Sequence, residues 1–333
     1  MSRKSNLDLV NECDKWVLFP LIWACQLILD SFPYYSESPE AFKQAISNYY
    51  HLKFQGYEAI LGYVPSSVVK RLPLLDLWKL DEVRKVLTWV AITDPSADEP
   101  HSRVLAAYLQ ELRDQKIFSV LDGWRDELYP IYGPGRKLLL NMERSATPLF
   151  GVVSYGVHMT AYVRTEEGLK LWTPRRAKTK QTYPGMMDNT VAGGITTGER
   201  PLECLIREAQ EEASLPEDIV RNAKSCGTLT YFHVRDARAG GETGLCQPKC
   251  QYVYDLELPE DVIPKPGDNE AVDFQLLTVL EVQEAMARGE FKPNCALLVL
   301  DFFIRHGILT PENEPDYVQI VPRLHRKLEF PMT

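Results

Sequence analysis

The chain has 333 residues, 45% hydrophobic and 25% charged, the balance of a soluble globular protein with room for two domains. Its formal net charge of -9 argues against broad nonspecific binding to nucleic acid or anionic membranes, but not against an anionic small molecule held by local cations or a divalent metal. The seven scattered cysteines are an odd number, the pattern of a reduced, cytosolic protein rather than of a disulfide framework.

The apolar run Trp16–Leu29 is too short to span a bilayer and contains Pro20, so a buried helix is expected there. Asp8, Glu12 and Asp14 ahead of it suit neither a secretory nor a mitochondrial leader. "SPEAFKQAISNYYHLKF" opens a helix, with Ser38 as cap and Pro39 in the first turn. "GYEAILGYVP" is aromatic and β-branched enough for a strand. "LDEVRKVLTWVAI" and "SRVLAAYLQELRDQ" carry helical apolar spacing. "YGPGRK" (Tyr132–Lys137) is the sharpest turn signal, and beyond it the pattern changes to strands. A boundary near residue 140 follows, between a smaller, mostly helical α+β domain (1–140) of undetermined role and a second domain (141–333).

In the second domain, strands are expected at Val157–Arg164, from Leu169–Thr173, at Thr228–His233 and at Gln251–Leu258. "TVLEVQEAMARGEF" and "NCALLVLDFFIRHG" are helices, the second ended by Gly307. Strands separated by helices point to a layered α/β or α+β domain. Cys246 and Cys250, with His233 upstream, lack the second pair that a zinc site needs, and a loop running into a strand is expected instead.

The helix beginning at Pro201 carries the chemistry. At about 100° per residue, Leu202, Ile206, Ala209 and Ala213 form an apolar stripe, and Glu208, Glu211 and Glu212 form another face, expected to be exposed. Arg207 stands one turn from Glu211. Hard divalent cations prefer clustered carboxylate oxygens, and magnesium is commonly shared between carboxylates and substrate phosphates. A solvated acidic face would show the same charges without that spacing.

The stretch resembles the Nudix box, a glycine, five residues, a glutamate, seven residues, then Arg-Glu-apolar-x-Glu-Glu-x-Gly-apolar. Gly193, Glu199, Arg207, Glu208, Ala209, Glu211, Glu212 and Leu215 fill eight of its nine defined positions, and Ser214 stands where the family has glycine. The resemblance implies a Nudix fold, an α/β/α sandwich with a mixed sheet, and hydrolysis of a diphosphate assisted by magnesium or manganese. Carried over by position, Glu208, Glu211 and Glu212 would bind the metal, Arg207 would orient the acids, and Glu199 would support the loop and add a metal ligand. The family varies in its general base, so the box glutamates and Glu270, in "NEAVDF", are the candidates.

Ahead of the box, Arg175, Arg176, Lys178 and Lys180 place four cations in six residues of an acidic protein. Arginine forks suit phosphate oxygens and lysine acts as a point charge. With Gly193 and Gly194 they form the expected substrate-binding set. Trp172, Tyr183, Tyr231, Phe232 and Tyr252 are a pool for flat apolar walls. Residues 171–194, with "KPNCALLVLDFFIRHG" and "RLHRKLEFP", resemble a fungal and plant Nudix subfamily described as thiamine pyrophosphokinase-related, in which a further N-terminal domain precedes the Nudix domain. That resemblance implies removal of phosphate from thiamine diphosphate and from its damaged oxy and oxo analogues.

Three alternatives share the fold. "RRAKTKQTYPGMMDNT" is similar to isopentenyl diphosphate isomerase, but Val191-Ala192-Gly193 stand where that family has its catalytic cysteine. A binding module without turnover would not need an intact acidic set. Hydrolysis of ADP-ribose, NADH, a nucleotide sugar or capped RNA differs only in pocket shape, and the acidic balance weakens the RNA version. The expected partner is a small-molecule diphosphate in the cytoplasm, with neither nucleic acid nor membrane, and the assembly is a monomer or a homodimer.

Overall fold

The computed structural model describes residues 3–14, 38–90, 100–180 and 182–333, and the apolar run Trp16–Leu29 lies outside them. The chain divides into two compact units. One, the acidic-helix unit, takes the described residues of Met1–Asp14, Tyr155–Tyr231 and Lys249–Arg326. The other, the N-terminal unit, takes those of Lys15–Ser154, Phe232–Pro248 and Lys327–Thr333. Sequence placed the change at residue 140, and packing places it at Ser154/Tyr155. The strand beyond the "YGPGRK" turn pairs back on the strand before it, which keeps both in the same unit.

The first helix is α1 (Asn6–Cys13), capped by Ser5. The N-terminal unit then runs α2 (Pro39–Ile46), β1 (Tyr49–Phe54), β2 (Gly62–Pro65), α3 (Ser66–Val69), β3 (Trp78–Asp81), β4 (Val86–Trp89), α4 (Pro100–Asp114), β5 (Leu128–Gly133), β6 (Lys137–Glu143) and α5 (Thr147–Phe150). Its four-stranded sheet has the order β2-β1-β4-β3, with β1 and β4 parallel.

Two helical expectations are corrected here. The helix opened by Ser38 stops at Ile46, and "YYHLKF" is β1. Within "LDEVRKVLTWVAI", Leu80 and Asp81 end β3 and residues 82–89 form the turn and second strand of the β3–β4 hairpin, with Trp78 opposite Trp89 and Leu80 opposite Leu87, while residues 91–92 lie outside the described residues. Leu87 and Trp89 are buried while Val86 and Thr88 are half-buried, the period of two of a strand, whereas the helical spacing is carried by Leu80, Val83, Leu87 and Val90. The turn at Lys85, with φ of 50°, and the parallel neighbour β1 decide in favour of a strand. The unit's core joins these residues to Leu105 and Leu109 of α4 and to Phe150, on which Trp78 stacks at 5.5 Å.

The acidic-helix unit is built from β7 (Ser154–Thr165), β8 (Gly168–Arg176), β9 (Val191–Gly194), α6 (Pro201–Ala213), α7 (Glu217–Val220), β10 (Lys224–Val234), β11 (Cys246–Glu257), β12 (Ala271–Thr278), α8 (Val279–Ala287), α9 (Pro293–Arg305) and α10 (Tyr317–Arg323), apart from Ser154, residues 232–234 of β10 and residues 246–248 of β11, which fall in the N-terminal unit. Among the described residues its sheet has six strands, ordered β10-β11-β7-β8-β12, with β9 added on β7. Along β7, Val157, Met159, Ala161 and Val163 are buried on one face and Tyr162 on the other. A sheet buried on both faces needs a layer on each. Tyr162, Leu171, Leu229 and Val253 face the core made with α1, α8, α9 and α10, including Leu9, Val282, Leu298 and Phe302. Cys246 and Cys250 both lie within β11, and the six cysteines among the described residues are free thiols. No helix of the described residues is long and apolar enough to cross a membrane.

Candidate active site

The site is built where α6 lies along β9. β9 pairs antiparallel with β7, placing Ala192 opposite His158 and Gly193 opposite Val157. The connecting loop turns at Gly198, whose φ of +85° is open to glycine. Pro201 then opens α6, where a missing N–H costs nothing, and Glu203 accepts the Arg200 N–H at 3.2 Å. The helix ends at Ser214 in the left-handed region (φ 52°, ψ 30°). Leu215 N–H donates back to the Ala209 carbonyl at 3.1 Å, and Lys265 N–H takes the Ala213 carbonyl at 2.9 Å. Glycine reaches that conformation freely, and serine there carries a strain of about 1 kcal/mol.

Arg207 is the hub of the acidic set. Its Nε and Nη2 donate to both oxygens of Glu199 at 2.8 and 3.1 Å, and its Nη1 donates to Glu208 at 2.9 Å and Glu211 at 3.2 Å. Thr196 donates its N–H and hydroxyl to Glu199, closing the loop on that carboxylate, and Arg207 ties the carboxylate to the helix. Burial opposes ionisation of Glu199, but Arg207 and Thr196 hold its carboxyl below the ordinary value.

The expectation that three glutamates turn outward together is corrected by the orientation of α6. Its buried residues are Cys204, Leu205, Ala209 and Ala213, while Leu202 and Ile206 are half-buried. This rotation turns Glu208 and Glu212 toward β9 and leaves Glu211 exposed. A Cβ added at Gly193 would lie 2.1 Å from Glu208 Cδ, so glycine is required while that carboxylate rests on the strand. Glu212 Oε2 accepts the Ala192 N–H at 3.0 Å. Burial, reinforced by the charges of Glu208, Asp188 and Glu270, pushes the Glu212 carboxyl well above the usual carboxylate range, and the Ala192 N–H offsets part of this. Gly194 pairs with Gly156 and accepts the Cys204 S–H at 3.4 Å.

The basic segment divides by burial. Arg176 donates to Asp188 at 2.6 Å, to the Thr182 carbonyl at 2.9 Å and to the Tyr183 carbonyl at 3.2 Å, so it holds the loop that follows it. Arg175 donates to the Gly185 carbonyl at 3.1 Å. Lys180 pairs with Glu270, the candidate base, and Lys178 is exposed. Of the aromatic pool, Tyr231 belongs to the core and Phe232 packs on Tyr63 and Phe330 within the N-terminal unit. Trp172 and Tyr183 are buried, and Tyr252 is half-buried.

Sequence reasoning passed over Asp188, Lys292, Cys295 and His158, which the fold gathers. Asp188 is buried, and besides Arg176 it accepts the Asn189 N–H at 3.0 Å and the Cys295 S–H at 2.6 Å, with Lys292 Nζ at 3.7 Å. Burial alone would raise its carboxyl, but Lys292 and Arg176 hold it well below the usual range. His158, also buried, has its Nδ1 2.9 Å from Asn189 Oδ1, and burial pushes its pKa down to about 4. The one sequence signal was a single acid, Asp188, closing a segment rich in cations.

Carboxylate oxygens are the donors that a hard divalent cation takes, and Glu212, crowded by other carboxylates, is a group that a nearby cation stabilises in its charged form. The donor chemistry fits such an ion. As the side chains stand, Arg207 engages Glu199, Glu208 and Glu211, and among the described residues no three His, Cys, Asp or Glu side chains are gathered so as to hold a metal.

Comparison with known proteins adds the lineage. A family model for the NUDIX domain matches residues 155–295, and one for a domain of unknown function, DUF4743, matches residues 44–154. The chain is 35% identical over 317 residues to the uncharacterized protein YJR142W of Saccharomyces cerevisiae, covering 91% of this chain and 90% of that one. It is 31% identical over 270 residues to Nudix hydrolase 24, chloroplastic, of Arabidopsis thaliana, covering 80% of this chain and 70% of the relative. Nudix hydrolase 20, chloroplastic, of the same plant is 35% identical over 231 residues, which are 69% of this chain and 59% of the relative, less than two thirds of its length.

Proposed function

This chain belongs to the Nudix hydrolase family, as an enzyme that hydrolyses diphosphate bonds, and we propose that its substrate is thiamine diphosphate together with its damaged oxy and oxo analogues. The products are the monophosphate and inorganic phosphate, and the ion is magnesium or manganese. We place the reaction in the cytoplasm, on a free small molecule, with neither nucleic acid nor membrane as partner.

The placement of Glu208 and Glu212 on the backbone of β9, beside the Glu199–Arg207 pair, carries the hydrolytic reading. Glu199, Glu208, Glu211 and Glu212 supply the metal ligands. When bound, the ion neutralises diphosphate charge and polarises water. Arg207 keeps Glu199, Glu208 and Glu211 oriented through its bonds to all three. In the reaction, water adds to one phosphorus, the bridging P–O bond breaks, and the bridging oxygen leaves on the other phosphate. The proton lost by water passes to a carboxylate. Glu270 is our leading candidate, because it lies close enough for its charge to act on Glu212 and is held by Lys180.

The basic segment supports a diphosphate ligand, with Arg175 and Lys178 reaching it directly and Arg176 and Lys180 tied into the surrounding frame. The flanking segments that resemble the thiamine-related subfamily support the cofactor class. The test is a panel of thiamine diphosphate, its oxy analogue, ADP-ribose and NADH compared by kcat/KM with magnesium, the proper measure of preference. The expected order puts the oxy analogue first and thiamine diphosphate second. A nucleotide at the head of the order would overturn the thiamine assignment and leave the hydrolase intact.

A further inference from the structure

We propose that Lys292 is an additional cation of the diphosphate-binding site, and that Asp188 is the positioning residue holding it and Arg176 in place. The proposal rests on the diphosphate-hydrolase reading above. None of the sequence patterns assigns either residue, because they come from different segments.

The backbone fixes Lys292 first. Met187 N–H donates to the Glu290 carbonyl at 2.8 Å, and Lys292 N–H donates to the Met187 carbonyl at 3.0 Å. These two bonds tie the residues entering α9 to the residue preceding Asp188, which keeps the backbone of Lys292 beside that carboxylate. Its side chain is only 19% exposed and that of Asp188 only 10%, so this is no solvated surface pair.

The bonding of Asp188 then separates two roles. Its Oδ1 is occupied by the Asn189 N–H and the Cys295 S–H. Its Oδ2 takes Arg176 Nη1 at 2.6 Å, a short charge-assisted bond that by itself neutralises the carboxylate. Lys292 Nζ stands 3.7 Å from the same oxygen, beyond hydrogen-bond length, so its donors are not spent there.

Arg176 already neutralises Asp188, so the Lys292 ammonium, beyond bonding length of that carboxylate, keeps donors for a further anionic partner. Nearby, Lys180 is already matched by Glu270. The Asp188–Lys292 pair lies near the proposed metal carboxylates: Asn189, next to Asp188 in the chain, meets His158, His158 stands opposite Ala192 on β9, and the Ala192 N–H donates to Glu212. An anion held there by Lys292 would therefore sit next to the carboxylate set, as a diphosphate must during hydrolysis. A lysine needed only to neutralise Asp188 would be redundant with Arg176.

The test uses the full-length protein with Lys292→Gln, Lys292→Arg and Asp188→Asn. Inorganic pyrophosphate is titrated calorimetrically, and kcat and KM are measured separately on thiamine diphosphate. Loss of one charge-assisted phosphate contact predicts about tenfold weaker pyrophosphate binding in Lys292→Gln and a comparable rise in KM, with the loss in KM rather than kcat. Lys292→Arg recovers most of that loss, and Asp188→Asn weakens pyrophosphate binding because both cations lose their anchor. Wild-type pyrophosphate affinity in Lys292→Gln would overturn the proposal, as would a fall in melting temperature with KM and affinity unchanged. Should the wild-type protein turn over no diphosphate at all, the hydrolase reading fails separately, and the pyrophosphate titration still decides the role of Lys292.

Discussion

Replacing Gly193 by alanine probes the placement of Glu208 with a single methyl group. The added Cβ would lie 2.1 Å from Cδ and 2.2 Å from Oε1 of Glu208, where ordinary contact begins at 3.4 Å. The carboxylate must therefore retreat by about an ångström or more, because the strand backbone is held in register by β7. The clashing atoms are the end of a rotatable side chain, so retreat costs about 1 kcal/mol of stability rather than the strand itself. The same rotation breaks the 2.9 Å bond from Arg207 Nη1 and carries Glu208 out of the acidic set. Misplacing a reacting group by about 1 Å costs on the order of 100-fold in rate, so kcat with saturating magnesium should fall by about that factor. Steady-state phosphate release, paired with thermal unfolding, separates the two effects. A Gly193→Ala protein with a kcat close to wild type would refute the reasoning.

Two further outcomes follow from the same geometry. Ser214→Gly relieves the left-handed helix end and should stabilise the protein by about 1 kcal/mol in urea unfolding, with activity retained; a neutral or destabilising result contradicts the strain. His158, with a folded pKa of about 4 against 6.5 when unfolded, keeps the folded state from taking a proton that the unfolded chain accepts. Its contribution is complete above pH 6.5 and is lost as pH falls toward 4. The loss amounts to about 3 kcal/mol. His158→Gln should flatten the slope of urea stability between those pH values, and an unchanged slope would show that other groups carry it.

What the sequence made legible was local. The spacing from Gly193 to Glu212 could be read directly, as could the proline that opens α6 and the glycine turn between β5 and β6, because each depends on neighbours within a turn or two. Residues 80–90 misled because Leu80, Val83, Leu87 and Val90 recur at helical spacing, while the strand is decided by the parallel neighbour β1 and the pairing with β3. The facing of α6 was off by part of a turn, since Leu202 and Ile206 are as apolar as the Leu205 that is actually buried. Asp188 and Lys292 could not be paired from sequence, because the bonds joining them run through Met187 and the segment entering α9. Charge patterning shows which cations cluster along the chain, and burial decides which are tied down, as Arg176 is and Lys178 is not.

The central claim is metal-dependent hydrolysis of a diphosphate by the carboxylates of α6 and of Glu199 in the loop that leads from β9 into it. Its most direct test is phosphate release from thiamine diphosphate with magnesium, measured for the wild-type protein and for Glu212→Gln, whose amide can still accept the Ala192 N–H. The account predicts turnover by the wild type that chelation abolishes, and a loss of two or more orders of magnitude in Glu212→Gln with the melting temperature preserved. Equal rates from the two proteins, or a wild-type rate indifferent to chelation, would contradict it.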